Sequence, residues 1–74
     1  MARDTKEMRL WLFDLAHGNL TDEIILKGFI KHYVLFGYTV GTVQDNIRFH
    51  TNYGDDGCYR AMSDLKRVLE SYVS

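Results

Sequence analysis

Apolar residues recur along this chain in blocks with helical spacing, separated by glycine-containing breaks. Met8, Trp11, Leu12 and Leu15 step by three, one and three, which places them on one stripe of a helix. Asp4 with Glu7 has the spacing of a capping box and predicts the start of this first helix. His17-Gly18-Asn19 ends it, because glycine takes the left-handed conformation at little cost. Thr21 is the expected cap of a second helix, with Leu20 and Ile25 spaced as a hydrophobic staple and Asp22 and Glu23 at the positive end of the helix dipole.

From Ile24 to Phe36 the pattern changes. It is apolar on nearly every face except the edge carrying Lys27 and Lys31. A helix of that kind belongs at the buried centre of a bundle. Gly28 within it costs about 1 kcal/mol relative to alanine, so its expected use is close approach of a neighbouring helix. A β-branched and aromatic run also suits a strand, but this one is too long for a strand. Gly37 breaks the chain. Thr39 then caps a short helix whose apolar positions are Val40, Val43 and Ile47. A competing strand pattern runs from Phe49 to Tyr53 with a period of two. Gly54-Asp55-Asp56-Gly57 is a loop by composition, with Asp56 able to cap the last helix. In that helix Cys58, Met62, Leu65, Leu69 and Tyr72 alternate steps of four and three. Such a seam serves the core or a second copy of the chain. The fold class expected is mostly α: one small four-helix domain over residues 1–74.

A domain of 74 residues buries a small share of its surface and is only marginally stable. Its hydrophobic content of 46% still supports a core, and dimerisation would add buried area. The seam residues Met62, Leu65, Leu69 and Tyr72 are the expected dimer or partner interface. Cys58 is the single cysteine, so there is no disulfide framework, and a partly buried thiol in a reducing compartment is expected. The formal net charge is −1, which gives no global attraction for nucleic acid. The charged start of the chain does not read as a signal peptide, and no apolar run reaches 18 residues. The expected address is cytoplasmic, with no membrane partner.

The stretch Gly37-Tyr38-Thr39-Val40-Gly41-Thr42-Val43 resembles the turn and second helix of helix-turn-helix DNA-binding proteins. The shared features are a turn glycine, an apolar residue, a Thr cap and an apolar position inside the helix. The resemblance implies a helix-turn-helix-like core and a small transcriptional regulator on double-stranded DNA, of a kind common among phage and mobile elements. The outward residues would be Thr39, Gly41, Thr42, Gln44, Asp45 and Arg48. Of these, Thr39, Thr42, Gln44 and Arg48 are the expected DNA contacts, since Gln pairs with adenine and Arg with guanine. Lys27 and Lys31 would hold phosphate. Two positions depart from the pattern: Tyr33 stands where the family carries a small residue, and Asn46 where it carries an apolar one. In a winged-helix variant, a hairpin over residues 47–61 replaces the end of the third helix.

Other chemistry has little support in the sequence. His17, His32, His50 and Cys58 form no pair with metal-ligand spacing. There is no phosphate-cradling glycine loop, nucleophile elbow or zinc-protease helix, so neither an enzyme nor a cofactor is expected. Trp11, Tyr38, Phe49, Tyr53, Tyr59 and Tyr72 exceed what a small core needs. They support the rival function, a protein-binding module that regulates or inhibits a larger partner through an aromatic surface.

Overall fold

The computed structural model describes residues 5–50 and 54–73. It contains helices α1 (Lys6–Ala16), α2 (Asp22–His32), α3 (Val40–His50) and α4 (Gly54–Val73), with a 3-10 turn over Val34–Phe36. No strand occurs among the described residues. Phe49 is helical, as are Cys58–Ala61, so the hairpin expected as an alternative over residues 47–61 is not formed there. Residues 51–53, which complete the other strand pattern, lie outside the described part. No helix among the described residues is long and apolar enough to cross a membrane.

The caps follow local chemistry. At α1 the cap is Thr5, one residue beyond the expected Asp4, and its hydroxyl accepts from the Met8 N–H at 3.1 Å. Glu7, expected in a capping box, reaches across to Lys31 instead. Asp4 itself lies outside the described residues. Thr21 caps α2 as expected, its hydroxyl accepting from the Ile24 N–H at 3.3 Å. Gly18 and Gly37 take φ of 70° and 79°, the left-handed values their positions predicted. The expected loop Gly54–Gly57 is the first turn of α4. Asp56 at the positive end of the helix dipole favours that outcome over a loop.

The core contains Met8, Leu12, Leu15, Ile25, Phe29, Tyr33, Val43, Ile47, Leu65 and Val68, with Trp11 at its edge. The spine is α4. Its 20 residues span about 30 Å, close to the 33 Å long axis of the molecule. It packs against α1, α2 and α3, while α1 also packs on α2. Met62 and Leu65, expected on an interface seam, are buried in this chain's own core and cannot be offered to a second chain. Leu69 is half-buried, and Tyr72 is exposed in the last turn of α4.

Gly28 has the role expected of it. Its backbone lies under Trp11, and a Cβ there would sit 1.9 Å from the indole Nε1. That nitrogen donates to the Ile24 carbonyl at 3.3 Å, so the ring is bonded to α2 as well as packed on it. The expected burial of this helix on nearly every face but the Lys27/Lys31 edge does not hold. Ile24, Ile30 and the following Val34, Leu35 and Phe36 are exposed. A helix at the edge of a small bundle has only one face to bury, and α2 uses Ile25, Gly28, Phe29 and His32 for it.

Candidate interaction surfaces

The helix expected to end at Phe36 ends at His32, and residues 33–39 make a seven-residue connection to α3. That is longer than the three- or four-residue turn of a helix-turn-helix. Tyr33 organises this connection. Its side chain is wholly buried, and its carbonyl accepts from the N–H groups of Phe36 at 3.1 Å and Tyr38 at 2.9 Å. The Gly37 N–H donates to Val34 O at 3.0 Å. These bonds hold a knuckle in which none of Val34, Leu35 and Phe36 is buried, Leu35 being 72% exposed.

Tyr33 and Asn46, the two departures from the helix-turn-helix pattern, meet each other. Asn46 Nδ2 donates to Tyr33 Oη at 3.0 Å and lies 3.8 Å from Met8 Sδ. Both side chains are buried. Burial pushes the Tyr33 phenol above its usual range, against the opposing effect of the Asn46 hydrogen bond, so it stays neutral at ordinary pH. In the sequence the two stand 13 residues apart as separate departures. Their pairing is legible only once the seven-residue connection has folded.

On α3 the expected DNA contacts separate. Thr39, just before the helix, and Arg48 are exposed, as are the outward positions Gly41 and Asp45, while Thr42 and Gln44 are half-buried. The Thr42 hydroxyl accepts from the Thr39 N–H at 3.4 Å, so it serves the start of the helix. Phe49, on the same helix, is 74% exposed. The expected phosphate-binding lysines are held by acids. Lys27 pairs with Glu23 at 2.9 Å, and Lys31 pairs with Glu7 across the α1–α2 boundary. Hydrogen bonds from those lysines hold both glutamate carboxyls below their usual range. On the other side of α2, Arg67 of α4 makes a two-pronged contact with Asp22, both distances 3.0 Å. That contact lowers the Asp22 carboxyl and raises the guanidinium.

Between α1 and α2 runs a shallow groove of about 380 Å³. Trp11, Leu20, Ile24 and Gly28 make its apolar wall, and Glu7, Asp14, Lys27 and Lys31 stand around it. It continues past His32 into a second hollow of about 250 Å³ that reaches Thr5 and Phe36. His32 is nine-tenths buried, with Trp11 beside it at a ring separation of 6.2 Å. Burial lowers its basicity, Glu7 opposes that, and Lys31 adds to it. A lowered folded value means that the unfolded chain protonates first as pH falls below about 6.5. Stability is therefore complete above that pH and declines below it, until the folded imidazole also protonates. The urea midpoint should fall between pH 7 and pH 5, and His32→Gln should reduce that fall. An equal fall in the variant would assign it to other groups.

Among the described residues no group of three or more His, Cys, Asp or Glu is placed to hold a metal. Cys58 is a partly buried thiol packed on the core. No protein-family model, curated protein or solved structure matches this chain.

Proposed function

We propose that this chain is a small protein-interaction module. The observation that carries the reading is the knuckle after α2. Three consecutive apolar side chains, Val34, Leu35 and Phe36, are held outward by backbone hydrogen bonds, with Ile30 exposed one turn before them. Exposed apolar surface on a small soluble fold marks a docking face. One held in place by hydrogen bonds loses less entropy on binding than a free loop would. Residues 33–44 carry no charged side chain, which suits an apolar contact and gives no purchase on phosphate.

A second reading, a DNA-binding regulator of helix-turn-helix type, is supported by the exposure of Thr39 just before α3 and of Arg48 on it. Against it stand Asp45 on the same face and the pairing of Lys27 and Lys31 with acids. One pair of measurements separates the two. Wild-type chain and the Leu35→Asp variant are used as bait, and random duplex DNA is titrated at about 50 mM and about 200 mM salt. The module reading expects a stoichiometric protein partner, lost in Leu35→Asp, and no salt-sensitive DNA binding. DNA binding that weakens steeply with salt and ignores Leu35→Asp overturns it.

A further inference from the structure

We infer that the hollow between Thr5 and Phe36 is a binding site for a small carboxylate carrying an apolar group, held by His32 and Lys31. The inference goes beyond the interaction-module reading and does not depend on what docks on the knuckle. It starts from His32, whose side chain is nine-tenths buried at the last position of α2. No hydrogen bond reaches its ring from any described residue. Burying a polar group without a partner is costly, so such groups are rare in folded chains. Asn46, the other buried polar side chain described, has its partner in Tyr33. His32 instead borders open space, since it lines both the hollow of about 250 Å³ and the groove beside it.

The charges around His32 decide the class of ligand. They are Glu7 and Asp14 from α1 and Lys27 and Lys31 from α2, and α4 places none in either lining. Within the hollow Glu7 and Lys31 neutralise each other. Lys31 has three N–H donors, of which Glu7 takes one. An added carboxylate accepts from the others and from the imidazole N–H. Its charge is then offset when the imidazole takes up a proton, which leaves two anions and two cations with charge-assisted hydrogen bonds between them. An added cation has no such compensation, because no neutral group in the lining gives up a proton near pH 7. The far wall is Phe36, 48% exposed, which favours an apolar group beside the carboxylate. The volume lies below the roughly 300–1,000 Å³ of drug-sized sites, so the ligand is small.

The test titrates the whole chain, labelled with nitrogen-15, with phenylacetate and with its neutral isostere phenylacetamide, followed by NMR. Phenylacetate should give saturable shifts at His32, Lys31 and Phe36, and the amide should not. One proton taken up per ligand makes affinity fall several-fold, at most about tenfold, from pH 6.5 to pH 7.5. His32→Gln should weaken binding and remove that pH dependence. Lys31→Gln, at a side chain 60% exposed, should weaken binding several-fold even if His32→Gln does not fold. Lys27→Gln, outside the hollow, should leave it unchanged. Equal binding of acid and amide overturns the inference, as does an affinity that ignores pH and Lys31→Gln, or no saturation by about 20 mM phenylacetate, a concentration too high for a built site. A capped Phe-Glu dipeptide amide distinguishes the source. If it binds more tightly than phenylacetate with the same pH dependence, the site stands and its carboxylate comes from a polypeptide.

Discussion

Gly28→Ala is expected to destabilise this protein by about 1–3 kcal/mol, although alanine is the better helix former. In an open stretch of helix the change would stabilise by about 1 kcal/mol. Here the new methyl would overlap the Trp11 indole, at 1.9 Å from Nε1 and 2.2 Å from Cδ1. Trp11 cannot swing aside cheaply. It is 6% exposed, its N–H is bonded to the Ile24 carbonyl, and its ring lies 5.9 Å from Tyr33. Relief requires α1 and α2 to separate or the ring to leave its place. For a chain of 74 residues the total stability is on the order of 4–11 kcal/mol, so such a loss is a large fraction of it. Gly41→Ala is the control. A Cβ there meets only Thr39 Oγ1, at an ordinary 3.5 Å, and the position is exposed on α3. It should stabilise by about 0.5 kcal/mol. Urea midpoints of the two variants should move in opposite directions, and a stabilising Gly28→Ala would refute the close approach.

The Tyr33–Asn46 pair should show strong coupling in a double-mutant cycle. Tyr33→Phe removes the acceptor and leaves the buried Asn46 Nδ2 facing the weak contact to Met8 Sδ, a loss of about 1–3 kcal/mol. Asn46→Leu strands the buried phenol oxygen at a similar cost. Replacing both leaves two apolar groups facing each other, which costs far less than the sum. The expected interaction energy is about 1–2 kcal/mol. Additive single effects would mean that the hydrogen bond contributes little and that the two residues are tolerated separately. The near-UV circular dichroism of the double variant should stay native, because Tyr33 also packs by its ring against Phe29 and Trp11.

Tyr33, Asn46 and α4 also mark where sequence reasoning stopped. The apolar pattern from Ile24 to Phe36 predicts a helix at the buried centre of the bundle. In the structure α4 is the spine, and α2 and α3 each pack on it. Spacing along one helix reveals that a stripe is apolar but not which partner covers it. Met62 and Leu65 accordingly suited an interface as well as a core until α1, α2 and α3 closed over them.

Local chemistry determined much of the outline by itself. Four helices were legible from periodicity. Thr21, Gly18 and Gly37 marked ends because capping and positive φ depend on a few adjacent residues. Gly28 pointed to a close approach because a glycine inside an apolar helix needs a compensating contact. Tertiary structure decided the rest, where energies depend on groups far apart in sequence. Helix α2 stops at His32 because Tyr33 is drawn into the core and bonded to Asn46, 13 residues away. Lys31 pairs with Glu7, 24 residues away, rather than waiting for phosphate. Val34, Leu35 and Phe36 read as core by composition, and only the packing of α2 against α1 and α4 turned them outward.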